Sequence, residues 1–184
     1  MTSEQALARL AEIVLQRSVE RGTFALSNGG TTDLYLDVRQ TTLNGEGAAL
    51  VGRLVLERIG AEVVGIGGPT LGADPVACSA VAMSQAVLGR PIHGFLIRKE
   101  AKGHGTGRYV EGMASLYAGA KVCLVEDTTT TGGSLLRAAQ RAKEAGLDVV
   151  QCIIVVDRQE GARARFEEAE LPFEALLTRA DLGL

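Results

Sequence analysis

Nine consecutive residues, Glu126-Asp127-Thr128-Thr129-Thr130-Thr131-Gly132-Gly133-Ser134, combine the groups needed to hold a phosphorylated sugar. They follow Val122-Cys123-Leu124-Val125, an apolar run of buried-strand type. They precede Leu135 to Ala145, a helical pattern closed by Gly146. A helix N-terminus offers unpaired N–H groups and the positive end of the helix dipole, which suits a phosphate. Thr130, Thr131 and Ser134 add hydroxyl donors, and Gly132 and Gly133 let the backbone approach closely. Glu126 and Asp127 stand at the strand end, where they would repel a phosphate at contact. They should therefore face another part of the ligand, and a sugar diol fits because its hydroxyls donate to carboxylates. A lone Thr-Gly-Gly-Ser would read as a helix-capping turn; the acidic pair on a buried strand moves the reading to phosphate plus ribose. This is not a Walker loop, since no lysine follows the glycines. The segment Gly65 to Gly72 has Thr70 where a dinucleotide-binding loop needs its third glycine.

A second anomaly is Arg98-Lys99-Glu100-Ala101-Lys102-Gly103-His104-Gly105-Thr106-Gly107-Arg108. These eleven residues hold four of the 19 Lys and Arg and one of the two His. Glycines at alternate positions exclude a helix and indicate a loop that can move. Cations above an anion site can close over a pyrophosphate and neutralise charge that develops in the transition state. The bland alternative is a solvated charged loop.

The elements around these segments alternate. Ser3 to Gln16 reads as an amphipathic helix with Ser3 as its cap. Phe24 to Asp37 reads as two short strands about a Gly29-Gly30 turn. Asn44 caps a helix from Glu46 to about Ile59, ended by Gly60. Val63 to Ile66 is a buried strand, Gly67 to Pro75 a glycine-rich loop and Val76 to Leu88 a helix. Ile92 to Ile97, Lys121 to Val125 and Asp148 to Val156 are further apolar strands. Strands apolar on both faces and separated by helices predict an α/β fold, with a central, mostly parallel sheet covered by helices on both sides. Ligands bind such sheets beyond the strands' carboxyl ends, so the loops 67–75, 98–108, 126–134 and 157–161 can converge on one site.

The whole composition agrees with this. The chain has 184 residues, 46% hydrophobic and 22% charged, which suits one globular domain and excludes disorder. We read residues 1–40 as an N-terminal helix with a strand-turn-strand segment and 41–184 as the α/β core of that domain. Mean hydropathy is +0.15 and no apolar run approaches the ~18 residues of a membrane span. The charged residues Glu4, Arg9, Glu12 and Arg17 exclude a signal peptide over residues 1–21. A net charge of −3, no Trp and 4% aromatic residues argue against a nucleic-acid partner. Cys78, Cys123 and Cys152 form no CxxC motif; they fit a reducing cytoplasm and apolar core positions. His93 reads as structural, and no cluster has metal-ligand spacing.

The string Glu126 to Ser134 resembles the phosphoribosyl-pyrophosphate (PRPP) motif of the type I phosphoribosyltransferases. Arg98-Lys99-Glu100-x-Lys102-x-His104-Gly105 resembles the signature loop of the orotate phosphoribosyltransferase family, and Val156-Asp157-Arg158-Gln159-Glu160-Gly161 is similar to a further motif of that family. The resemblance runs from about Phe24 to Gly161. It implies the type I phosphoribosyltransferase fold with a small hood over the base, formed here by Phe24 to Asp37. It implies transfer of phosphoribose from PRPP to orotate with Mg²⁺ held mainly by PRPP itself, and a homodimer whose loop 98–108 acts in trans. Carried over residue by residue, it places Arg98, Lys99, Lys102, His104, Glu126, Asp127, Thr128, Thr129, Thr130, Thr131, Gly132, Gly133 and Ser134 on PRPP. Lys102 and Asp127 are then the catalytic groups, and Arg158, Thr130 and Tyr35 face orotate. Bottom-up, Arg158 after a buried strand suits a bidentate grip on a carboxylate, or it simply begins a surface helix. Three departures stand out. Ser27 replaces a lysine and Tyr35-Leu36 a pair of aromatics found in some members, and Leu71-Gly72 replaces a Tyr-Lys pair, so no side chain of that last loop is carried over. A phosphoribosyltransferase for another base, or a non-catalytic PRPP sensor, are the alternatives.

Overall fold

The computed structural model describes residues 1–25, 29–100 and 109–184. In chain order the elements are α1 (Ser3–Arg17), β1 (Val19–Ala25), β2 (Thr31–Leu36), α2 (Arg39–Thr42), α3 (Gly45–Leu56), β3 (Gly65–Pro69), α4 (Ala73–Leu88), β4 (His93–Ile97), β5 (Val110–Glu111), β6 (Lys121–Thr129), α5 (Gly133–Glu144), β7 (Asp148–Asp157), α6 (Ala162–Glu168) and β8 (Phe173–Thr178). The main sheet has the order β5-β4-β3-β6-β7-β8. Its strands from β4 through β8 run parallel, and only the short edge strand β5 is antiparallel. Strands β1 and β2 form a separate antiparallel ribbon, the hood.

The central strand shows why the sheet needs two covering layers. Along β6, Val122 and Leu124 pack into one apolar cluster with Leu135, Ala138 and Phe166. Cys123 and Val125 point the other way, into a cluster with Leu10, Leu54, Val76 and Ile153. Side chains alternate across a strand, so a run apolar at every position must be buried on both faces. Helix α1 contributes Ala6, Leu10, Ile13 and Val14, one stripe at helical spacing.

Several boundaries differ from those read in the sequence. Thr2, not Ser3, caps α1: its Oγ1 accepts from the Gln5 N–H (3.2 Å), and the Gln5 side chain accepts from the Thr2 N–H (2.9 Å). The Ser3 hydroxyl instead donates to Glu57 (2.9 Å). Asn44 caps α3 as expected, through the Gly47 N–H (3.1 Å), but the helix ends at Leu56 and not near Ile59. Gly60 does not terminate it; its N–H donates to the Gln151 side chain (3.1 Å). Gly67 to Pro69 belong to β3 and not to a loop, because they pair with Phe95 to Ile97. Likewise Glu126 to Thr129 continue β6, with Thr129 paired to Asp157. Cys123 and Cys152 are buried core residues, whereas Cys78 is exposed, since the buried face of α4 runs through Ala73, Val76, Ala77 and Ala80. No described helix is long and apolar enough to cross a membrane.

Candidate active site

The carboxyl ends of β3, β4 and β6 open into a cleft of about 270 Å³ that the end of the hood also walls. Asp37, Arg39, Gly72, Lys99, Glu126 and Asp127 line it. The Thr70–Leu71 peptide in its wall is cis. A smaller basic cavity of about 200 Å³ adjoins it, lined by Arg98, Lys99, Ser134, Arg137 and Arg141. Lys99 and Ser134 belong to both. An acidic cleft joined to a basic cavity suits a ligand with hydroxyls at one end and phosphates at the other.

The phosphate loop is built by β6 and α5. Gly132 occupies the N-cap of α5 at φ +75°, and no side chain caps the helix. The capping turn weighed above is therefore absent, and the first N–H groups of α5 are left for an anion. The loop is pinned from below: the Gly132 N–H donates to Thr129 Oγ1 (3.1 Å), and Arg165 donates to the Thr131 carbonyl (3.0 Å). A Cβ at Gly132 would stand 2.6 Å from the Phe166 ring, so this position needs glycine for space as well as for its φ. Thr130 is half-buried and Thr131 exposed, while Thr129 is buried with its hydroxyl already engaged. The Thr128 hydroxyl is buried and has no hydrogen-bond partner among the described residues.

The acidic pair sits immediately before this loop. Asp127 is buried; its Oδ1 accepts from the Thr128 N–H (2.8 Å). Gly72 packs against it so closely that a side chain there would collide with Asp127 Oδ1. Burial pushes the Asp127 carboxyl up, and the Thr128 N–H and Arg39 pull it back. Glu126 is pushed up to about 7, first by burial and then by the Asp127 charge, against the Ser134 hydrogen bond and the Lys99 and Arg137 charges. A carboxyl with a folded pKa above its unfolded one binds an extra proton when folded. Its contribution to stability is complete below about 4.5 and lost as pH rises through 7. Glu126→Gln should therefore raise the urea midpoint at pH 8 and leave it unchanged at pH 4.5. Equal midpoints for variant and wild type at pH 8 would contradict the burial argument.

Loop 98–108 is fixed at its neck. The Arg98 N–H donates to the Tyr109 carbonyl (2.8 Å), and Arg141 donates to the Arg98 carbonyl (2.6 Å) with its guanidinium 4.1 Å from the Tyr109 ring centre. Arg98 also faces Glu111 at 3.6 Å. Lys102 and His104 lie outside the described residues. Arg158 does not line the cleft. Its N–H donates to the Thr129 carbonyl (3.0 Å), and its guanidinium pairs with Glu160 (2.9 Å). Tyr35 is exposed on the hood and packs against Phe24, ring centres 5.4 Å apart, so the second aromatic comes from the facing strand and not from position 36. Among the described residues no three His, Cys, Asp or Glu side chains group as a metal cage. The sequence reading missed Asp37, Arg39, Arg137 and Arg141. An acidic-basic pair two residues apart just after a strand was the available signal for the first two.

A parallel sheet with an acidic pair ending its central strand and an uncapped phosphate loop beyond it is the arrangement of the type I phosphoribosyltransferases. Residues 79–169 match the phosphoribosyl transferase domain family. Orotate phosphoribosyltransferase of Mycobacterium avium is 45% identical over 99% of each chain. Crystal structures of the Mycobacterium tuberculosis H37Rv orotate phosphoribosyltransferase superpose with a TM-score of 0.85 at 42% identity for its complex with Fe(III) dicitrate, and 0.79 at 38% for its PRPP complex. Each covers 97% of this chain and 99% of the other. The chain belongs to the orotate phosphoribosyltransferase family.

Proposed function

We propose that the protein transfers the 5-phosphoribosyl group of PRPP to orotate, giving orotidine 5′-monophosphate and pyrophosphate, in cytoplasmic pyrimidine biosynthesis. The observation that carries this reading is the Glu126–Asp127 pair near the end of β6, followed through the Thr-rich turn by the uncapped N-terminus of α5. Residues Thr130 to Ser134 hold the 5′-phosphate through backbone N–H groups and hydroxyls. Glu126 and Asp127 accept from the ribose hydroxyls. As the C1′–O bond breaks, its electron pair leaves on pyrophosphate and positive charge grows on the sugar, where the two carboxylates favour it. Lys102 is the main cation on the leaving pyrophosphate, with Arg98, Lys99 and His104 assisting. A ring nitrogen of orotate supplies the pair for the new C1′–N bond. Orotate can carry its own negative charge, so no strong protein base is needed. Arg158, Thr130 and Tyr35 orient it, which requires Arg158 to exchange Glu160 for the ligand.

The donor set fits Mg²⁺, a cation that keeps waters and is held by one or two carboxylates together with phosphate oxygens. Asp127 and Glu126 would face it beside PRPP's own oxygens. When bound it would neutralise pyrophosphate charge as a Lewis acid. The protein works as a homodimer, the loop 98–108 of each subunit completing the site of the other.

The test follows the near-ultraviolet absorbance of orotate with protein, PRPP and Mg²⁺, against uracil and hypoxanthine. Loss of signal that requires all components is the expected result. Turnover of another base instead would discard orotate and keep the PRPP site. Tight PRPP binding with no turnover would make the protein a sensor.

A further inference from the structure

We propose that Arg39 is a pyrophosphate-binding residue of the site, contributed by the same subunit as the phosphate loop. The proposal rests on the phosphoribosyltransferase reading and adds to it a side chain that the PRPP motifs do not contain.

Arg39 begins α2 just beyond the hood. Asp37 holds it by one edge: Oδ1 accepts from Arg39 Nε (2.8 Å) and from the Arg39 N–H (3.2 Å). Gln40 donates to the other oxygen of Asp37 (3.2 Å). The corner itself is fixed, because the Asp37 N–H donates to the Ser18 carbonyl (2.9 Å) and the buried Ser18 and Thr41 hydroxyls are bonded (2.7 Å). Nε is thus occupied while the two terminal amino groups have no partner among the described residues. A guanidinium anchored through Nε keeps these donors as a rigid fork, the geometry that matches two phosphate oxygens.

Its surroundings supply the need for such a fork. Arg39 lines the cleft with Gly72, Lys99 and three carboxylates, Asp37, Glu126 and Asp127. Without Arg39, Lys99 would be the one described cation there, and a polyanionic ligand would meet excess negative charge. Leu71-Gly72 lines the same cleft, and this chain carries no charge there. The Arg39 charge lowers the Asp127 carboxyl, which places it within electrostatic reach of the reacting end of the site. The ribose 5′-phosphate, by contrast, belongs to the α5 loop, of whose residues Thr130 to Ser134 only Ser134 reaches this lining.

The test titrates inorganic pyrophosphate with Mg²⁺, and separately ribose 5-phosphate, into wild-type protein, Arg39→Ala and Arg39→Lys by calorimetry. Arg39→Ala should weaken pyrophosphate about ten- to a hundred-fold and leave ribose 5-phosphate unchanged. Arg39→Lys should recover part of the loss, since it restores charge without the fork. Unchanged pyrophosphate affinity in Arg39→Ala overturns the proposal. So does an equal loss of both ligands, which would mark a merely structural role. If wild-type protein binds neither ligand, the phosphoribosyltransferase reading fails with it. If it binds both but turns over no orotate, only the choice of base fails, and the pyrophosphate titration still decides Arg39.

Discussion

Asp127→Asn is expected to lower kcat for orotidine monophosphate formation by about 10²- to 10³-fold, the size found when one preorganised charge is removed from a developing ion. The substitution keeps the shape. Asparagine's Oδ1 can still accept the Thr128 N–H and still fits against Gly72. What it removes is the negative charge that the proposed mechanism sets beside the sugar carbon from which pyrophosphate departs. The KM for PRPP should change far less, because the phosphate loop, Lys99 and Arg39 remain. The fold should not suffer: burial raises the Asp127 carboxyl, so its charge is held at a cost to the native state. Steady-state kinetics with thermal unfolding of the same samples checks both parts. A variant with wild-type kcat would show that the carboxylate only shapes the cleft.

Lys102→Ala should be as severe, because the proposed mechanism makes Lys102 the principal cation on the leaving group. The more informative result comes from mixing. Lys102→Ala and Asp127→Ala subunits, each inactive alone, should regain about a quarter of wild-type activity when unfolded together and reassembled. Random pairing in a two-fold dimer makes about half the molecules mixed, and each mixed dimer has one site with both native groups. The arithmetic holds only if the loop crosses to the partner. If each loop served its own subunit, every site would carry one defect and mixing would restore nothing. The described neck of the loop makes the experiment clean. Arg98 and Tyr109 are pinned by Arg141 on α5, and neither substitution removes a group of that anchor.

The parts of the site that stood out in the sequence were those with local causes. An apolar run followed by carboxylates and a Thr/Gly turn needs no tertiary knowledge to be read as strand, anion loop and helix. The same local view misjudged where β6 ends. Thr128 and Thr129 look like loop residues in a Thr-rich string, yet β-branched side chains suit a strand, and Val156 and Asp157 of β7 supply the pairing. Strand β8 escaped notice because it buries only two side chains, Leu176 and Leu177, too few to set a period, whereas α6 was legible as a helix near Gly161. Arg39 left only a faint local sign, the acidic-basic pair it makes with Asp37. Its place depends on the hood folding back beside β3 and β6, a long-range event that leaves no mark in the sequence around it. Arg158 shows the converse: its position after β7 was legible, but its pairing with Glu160 was not.

The contrast between β6 and the hood has a consequence for how the molecule breathes. The amides of Val122 to Val125 lie under both apolar layers, so their deuterium uptake requires the whole sheet to come apart. Strands β1 and β2 have mostly exposed side chains and pair only with each other. Their amides can exchange through small local openings. The two halves of the site therefore keep different clocks. The floor that carries the acidic pair persists for the lifetime of the fold, while the ribbon beside it can open and resettle many times without disturbing it.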